Sequence, residues 1–286
     1  MPVEPPVESP RSLVDAYALL ETHPYRPVAG GTDLLAQITG EIGEPPERVL
    51  DIWHLDELRS IRMESNALVL GALTTYTEMR RSPLVAEFLP AFADAAATIG
   101  AAQIQNRGTI GGNAINASPA GDMLPLLLAC DAQLMAGSAR GERWIAARDF
   151  WPAYRRTALA PNELLLRISV PLATGRQVRF RKVGTRRAQA ISKVVMALAW
   201  QAGEGADSPW RDVHLALGSV AATPIRAAAT EASLEGAVPD ERTADRAASV
   251  LAGELQPIDD VRSSADYRRA VAARVLHRLI RDEGGW

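Results

Sequence analysis

Apolar positions recur at helical spacing directly after Ser12, at Leu13, Ala16, Tyr17 and Leu20, and Ser12 supplies the cap. A short extended piece at 26–29 then runs into the glycine turn GGTD (30–33) and the apolar pair Leu34-Leu35, which reads as strand, turn, helix start. Val49–Ile52 and Ala67–Gly71 have the texture of buried strands. Thr77–Arg81 and Leu89–Ile99 read as helices, the second nearly all apolar and therefore buried. With three glycines in five residues, GTIGGN (108–113) is expected to be non-helical. SPAG (118–121) is a second turn, Asp122–Cys130 an apolar helix, and Ala132–Met135 and Glu163–Val170 are strands.

The texture changes at 171–177, where Pro, Thr and Gly separate two strands. Val178–Val183, Ser192–Gln201 and Asp212–Val220 follow as longer strands suited to an antiparallel sheet, with a polar connection at 204–209. The last third is helical, over Arg226–Leu234, Thr243–Leu255 and Ala265–Arg281, the last with a stripe of Val271, Val275, Leu276 and Leu279. No internal repeat or low-complexity tract interrupts this order. The expected fold is α+β, divided into 1–174, itself split near 55–65, and 175–286.

Composition narrows the chemistry. Thirty-one Lys and Arg against 34 Asp and Glu leave a net charge of −3, which argues against nucleic acid as the main partner. The single cysteine, Cys130, excludes an internal disulfide or a thiolate cluster held by this chain alone, and suits a reducing compartment. The start, MPVEPPVESP, has neither a cationic region nor an apolar signal core, and Met123–Cys130 is far short of the roughly 20 residues of a membrane helix. A cytoplasmic protein is expected. His23, His54, His214 and His277 have no metal-ligand spacing, and neither a G-x-S-x-G elbow, a G-x-G-x-x-G fingerprint nor a GK[ST] phosphate loop occurs.

What remains is a pair of glycine turns about 80 residues apart. Gly30-Gly31 bring backbone close to a ligand, and their amides, with the Thr32 hydroxyl, suit a pyrophosphate. Gly111-Gly112 repeat the device with Thr109 before and Asn113 and Asn116 after, and Asp122 offers a carboxylate to ligand hydroxyls. Two tight turns in a twisted sheet have the same spacing, so spacing alone leaves both readings open. The basic run RQVRFRKVGTRR (176–187) is either a solvated strand and turn or a source of positive charge, through Lys182, for a phosphate or an anionic flavin. Trp144, Trp151, Trp200 and Trp210 read as core or interface.

The order of motifs, taken whole, resembles a known family. RPVAGGTDLL (26–35) and QIQNRGTIGGN (103–113), continued by NASPAGD (116–122), are similar to the two FAD-binding segments of the medium, flavoprotein subunit of molybdenum hydroxylases such as xanthine and carbon monoxide dehydrogenase. TALAPNELL (157–165) is similar to the strand closing that flavin domain, FRKVGTR (180–186) to its lysine-bearing strand, and GSVAATPIRA (218–227) to its G-x5-P-x-R-A turn. The resemblance spans nearly the whole chain. It implies a fold related to vanillyl-alcohol oxidase and UDP-N-acetylenolpyruvylglucosamine reductase: two N-terminal α/β subdomains of PCMH type holding FAD, then an antiparallel sheet with three helices.

By position, the resemblance assigns Ala29, Gly30, Gly31, Thr32, Asp33 and Leu34, with Thr109, Ile110, Gly111, Gly112 and Asn113, to the pyrophosphate region. Asn116 and Asp122 go to the ribityl or ribose hydroxyls, Leu165 to the ring system or adenine, and Lys182 to the isoalloxazine. Ile99 falls where relatives place a residue near the flavin. No catalytic acid, base or metal ligand is expected. Gln105 stands where relatives commonly carry arginine, residues 187–193 lack an acidic residue that some carry, and the cysteine-rich insertion of the 4-hydroxybenzoyl-CoA reductase branch is absent. The implied role is an FAD electron-transfer subunit. A small subunit with two [2Fe-2S] clusters would supply it, a large molybdopterin subunit would oxidise the substrate, and NAD+ or another acceptor would take the electrons. The stretch 182–192 leans toward relatives acting on xanthine or another N-heterocycle. The rivals are a stand-alone flavin oxidoreductase and an assembly module that kept the fold without FAD.

Overall fold

The structure, a computed structural model, describes residues 5–40, 44–186, 189–203, 205 and 208–286. Arg187, of the basic run, and Glu204, Ala206 and Asp207, of the polar connection, lie outside the described residues. The first stretch of chain runs β1 (Val7–Glu8), α1 (Leu13–Thr22), β2 (Arg26–Val28), α2 (Leu34–Thr39) and β3 (Val49–Asp51). A second follows with β4 (Ile61–Glu64), β5 (Ala67–Gly71), α3 (Tyr76–Arg81), α4 (Pro83–Phe88), α5 (Pro90–Thr98), α6 (Ala102–Gln105), α7 (Ile110–Asn116), α8 (Leu124–Ala129), β6 (Gln133–Ser138), β7 (Gly141–Ala146), α9 (Ala147–Phe150) and β8 (Leu164–Pro171). The third comprises β9 (Arg176–Val183), β10 (Val194–Gln201), β11 (Arg211–Gly218), β12 (Ile225–Arg226), α10 (Ala228–Leu234), α11 (Glu241–Glu254) and α12 (Ala265–Gly284).

Each stretch builds one sheet. The first is a small parallel sheet, β1-β3-β2; the second is antiparallel, β4-β5-β8-β6-β7; the third is antiparallel, β12-β11-β10-β9, backed by α10–α12. The architecture is therefore α+β, with two mixed N-terminal units and a C-terminal antiparallel sheet with three helices. Strand β10 shows how the third joins the rest. Its run VVMALAW is apolar throughout because both faces are covered. Val194, Met196, Leu198 and Trp200 face a core shared with α10–α12, where Trp200 stacks on Trp210 at 4.5 Å between ring centroids. Val195, Ala197 and Ala199 face the large core of the second unit, and their small side chains let α8 lie close against the sheet.

One expectation is overturned: 110–116 is helical, although Gly111 and Gly112 lie in it. Each glycine costs about 1 kcal/mol relative to alanine in a helix, but tertiary contacts outweigh that here. The Thr109 hydroxyl caps the helix by accepting from the Gly112 amide at 3.0 Å, and the Trp151 indole N–H donates to the Ala114 carbonyl at 2.9 Å. At Gly111 the helix packs so closely on Ala72, the residue after β5, that a Cβ would stand 2.5 Å from its carbonyl oxygen. The glycine is what permits that packing.

Candidate functional site

The two glycine segments meet. The first leaves β2 and enters α2; the second leaves α6 and enters α7, and it pairs with the start of α3 through a bridge between Thr75 and Thr109. A Cβ on Gly30 would lie 1.7 Å from the Arg107 carbonyl oxygen, so only glycine allows the segments to touch. Trp53, following β3, is held between two guanidinium groups, with Arg107 3.7 Å and Arg59 4.2 Å from its ring centroid. This stack fixes the loop before α7 against the first unit.

Between the segments lies a cavity of about 260 Å³. Its walls include Ala29, Gly30, Gly31, Thr32, Asp33 and Leu34 on one side and Thr109, Gly111, Gly112, Asn113 and Asn116 on the other, with Leu165 from β8 contributing. Their backbone groups differ in a way that spacing did not reveal. The amides of Ile110, Gly111, Gly112 and Asn113 are all taken, by Thr74 O, Ala72 O, Thr109 Oγ1 and Thr109 O, each at 3.0 Å. The amides of Gly30, Gly31, Thr32 and Asp33 have no acceptor among the described residues. Consecutive amides without acceptors in a cavity wall are a ready anion cradle. The first segment thus offers the donors and the second a smooth, side-chain-free wall. Removing the cap with Thr109→Ala is expected to cost about 1 kcal/mol, read as a lower urea midpoint at unchanged slope.

Polar side chains cluster at one part of the cavity. Asn116 Nδ2 donates to Asp33 Oδ1 at 2.8 Å, and Arg155 donates to Asn116 Oδ1 at 3.0 Å. Burial raises the pKa of Asp33 despite the opposing pull of Arg155. Tyr76 is a wall residue that the sequence reading missed. It is nearly inaccessible, its amide donates to Gly108 O at 3.2 Å, and burial pushes its phenol far above the ordinary value, so the hydroxyl stays protonated. The capping box Thr75-x-x-Glu78, in which the two side chains and the two backbone N–H groups pair reciprocally, was the signal that would have begun a helix there.

Three assigned residues do not line the cavity. Ile110 is fully buried in the large core. Asp122 and Lys182 form a buried ion pair, Nζ to Oδ2 at 2.6 Å, with side chains 8% and 7% exposed. Lys182 also donates to Thr98 O at 3.1 Å, and the Ser192 hydroxyl donates to Asp122 Oδ1. Burial raises the pKa of Asp122 against the pull of Lys182 and of both hydrogen bonds. The pair sits directly behind the wall: Asn113 Oδ1 accepts from the amide of Met123, and Tyr76 feels the charges of both Asp33 and Asp122. Ile99 is partly buried beside the large core, next to Thr98.

The basic run is mostly spoken for. Arg179 pairs with Glu283 of α12 at 2.6 Å, and Arg176 reaches Asp131 at 3.5 Å and Asp212 at 3.9 Å. Cys130 is buried, its thiol pushed up to about 12 by desolvation. Among the described residues no three His, Cys, Asp or Glu side chains come together as a metal site, and no helix is long and apolar enough to cross a membrane.

Amides without acceptors among the described residues, a smooth glycine wall, polar side chains and apolar flanks fit an extended dinucleotide. Gly112 forms part of the cavity wall, and a Cβ there would stand 2.9 Å from Thr109 Oγ1. Fold and site together define a dinucleotide-binding α+β protein. Residues 3–173 match the family described as the FAD binding domain in molybdopterin dehydrogenase, and residues 179–282 match the CO dehydrogenase flavoprotein C-terminal domain. The chain is 33% identical over 273 residues to the glyceraldehyde dehydrogenase medium chain of Sulfolobus acidocaldarius, covering 95% of each. It is 30% identical over 291 residues to the nicotinate dehydrogenase FAD-subunit of Eubacterium barkeri, covering 97% of each. A structure of carbon monoxide dehydrogenase from Hydrogenophaga pseudoflava superimposes with a TM-score of 0.90 at 31% identity, over 97% of this chain and 96% of that one. The chain belongs to the FAD-binding medium subunits of the molybdenum hydroxylase family, and is an oxidoreductase subunit.

Proposed function

We propose that this chain is the FAD electron-transfer subunit of a molybdenum hydroxylase complex, supplied by [2Fe-2S] clusters of a small subunit and delivering to NAD+ or another acceptor. The reading also holds that a large subunit with molybdopterin oxidises the substrate, xanthine or another N-heterocycle, in the cytoplasm, and that residues 1–174 and 175–286 are its two domains. The single observation that carries the FAD assignment is the row of amides at Gly30–Asp33, without acceptors among the described residues, across the cavity from Gly111 and Gly112. FAD held there supplies the exchange between one- and two-electron carriers.

This chain's own residues bind and orient. Gly30, Gly31, Thr32 and Asp33 amides and the Thr32 hydroxyl hold the pyrophosphate, with Ala29 and Leu34 bounding the cradle. Gly111 and Gly112 admit it, and Thr109 and Ile110 anchor the helix behind. Asn113, Asn116 and Asp33 read hydroxyls, and Leu165 packs against a ring. Asp122 and Lys182 set the charge behind the wall. Relatives named for glyceraldehyde and for nicotinate dehydrogenases share this subunit, which supports placing substrate choice on a partner chain.

The test is a visible spectrum of the purified chain before and after addition of FAD and desalting. A retained flavin spectrum, with FAD rather than FMN released on denaturation, is expected. A colourless chain that stays so in the presence of the small iron–sulfur subunit overturns the reading in favour of a flavin-less assembly module. Turnover of a small substrate by the isolated flavinylated chain favours a stand-alone oxidoreductase.

A further inference from the structure

Ser192 lies just ahead of β10, 1% exposed, and nothing in the cofactor assignment calls for it. Its hydroxyl donates to Asp122 Oδ1, while Lys182 donates to Oδ2 at 2.6 Å. Among the described residues these are the only two side chains that donate to the carboxylate, which has room for about four hydrogen bonds. The groups acting there come from three elements: the Lys182 ammonium from β9, the neutral Ser192 hydroxyl ahead of β10, and the neutral Tyr76 phenol from α3. Asp122 belongs to the FAD-binding half, Lys182 and Ser192 to the C-terminal half. The serine is itself held from behind. Ser219 Oγ donates to its carbonyl at 2.9 Å, and Arg268, anchored on Asp260 at 2.7 Å, donates to Ser219 O at 2.7 Å and Lys193 O at 3.1 Å.

We infer that Ser192 is a positioning residue that keeps Asp122 ionised and aligned, so that Lys182 stands behind the cofactor cavity as a neutralised pair rather than a bare cation. The inference rests on the FAD reading above. Without the hydroxyl, a buried carboxylate keeps one side-chain donor and takes up a proton more readily, which leaves the ammonium uncompensated. A net positive charge one layer behind the wall favours reduced FAD, which carries negative charge, over oxidised FAD. Ser192 therefore sets how evenly the site holds the two redox states.

The experiment measures the FAD midpoint potential of the full chain at pH 6, 7.5 and 9, with melting temperature alongside. The proteins are wild type, Ser192→Ala, Lys182→Met and the double variant. Ser192→Ala is expected to tighten reduced relative to oxidised FAD about tenfold at pH 6, a rise of about 30 mV for a two-electron couple, and to return to the wild-type value at pH 9 as Asp122 ionises. In the Lys182→Met background the carboxyl has already lost its charged partner and takes up the proton at pH 6, so there the same substitution is expected to change nothing. A shift equal at every pH, a shift that survives at pH 6 without Lys182, or a lower melting temperature with unchanged potentials overturns the role and leaves Ser192 a packing residue. If Ser192→Ala does not fold, Ser192→Cys, close in shape and a weaker donor, is expected to shift the same way by a smaller factor, and a flat Cys profile overturns the inference equally. Wild type that binds no FAD is a different failure, that of the cofactor reading.

Discussion

Gly112→Val loses the cofactor and keeps the fold. The position is informative because of what surrounds it. At Gly30 an added Cβ would strike the Arg107 carbonyl at 1.7 Å, and at Gly111 the Ala72 carbonyl at 2.5 Å, so substitution there damages packing and cofactor site together. At Gly112, outside its own helix backbone and chain neighbours, an added Cβ would meet Thr109 Oγ1, the oxygen that caps α7, at 2.9 Å, so the cap must shift slightly, and a valine there adds bulk to a residue of the cavity wall. Valine is not a worse helix former than glycine, so α7 itself has little reason to melt. The expected result is a dissociation constant for FAD raised at least about 100-fold, near 2.7 kcal/mol. The melting temperature of the cofactor-free chain is expected to fall by only a few degrees, as for about 1 kcal/mol. Gly112→Ala, with a single carbon, gives a smaller loss in the same direction. Flavin occupancy near wild type in the valine variant would remove the Gly111–Gly112 segment from the cofactor site.

That prediction rests on a helix the sequence pattern argued against. Composition marks GTIGGN as a turn because glycine propensity is a local quantity, whereas what holds 110–116 is distant in sequence: the Ala72 carbonyl, the Trp151 indole and the bridge to Thr75. Elements whose signal is periodic and local were legible, among them α1 with its Ser12 cap and the long strands β9, β10 and β11. The two-residue strands β1 and β12 were not, because each exists only by pairing with a remote partner, β3 and β11. The site divides the same way. Gly30–Asp33 and Thr109–Asn116 announce themselves by residue type and motif order. The amides of the first segment, without acceptors among the described residues, and the occupied amides of the second do not, since which carbonyl each N–H finds is a tertiary fact. Tyr76 and Ser192 went unnoticed for a related reason: a lone tyrosine or serine carries no pattern, and only the fold brings them to Asn113 and Asp122.

Lys182→Met is the second large effect, and it falls on stability. Methionine matches the length of the stem but removes the ammonium, leaving Asp122 buried with the Ser192 hydroxyl as its side-chain donor. Breaking a buried pair from one side costs about 3–5 kcal/mol, because the remaining charge is uncompensated. The loss has a sign in pH. Burial already raises the Asp122 pKa in the intact pair, and losing the lysine raises it further. A carboxyl whose folded pKa lies above its unfolded one favours folding when protonated. Stability therefore falls as pH rises from the ordinary aspartate value through the raised folded value, and is regained in the other direction. The gap between wild type and variant is expected to be widest at pH 8 and to narrow toward pH 5, measured as the urea midpoint at constant slope. Adding Asp122→Asn to Lys182→Met removes this carboxyl's share of the pH dependence and recovers part of the loss, since no charge is left stranded. A gap that does not change with pH, or that widens on the acid side, shows that the lysine contributes through packing alone. The pair joins Asp122 of the FAD-binding half to Lys182 of the C-terminal half, so the pH-dependent part of this loss also reports how firmly the two halves are held together behind the cofactor wall.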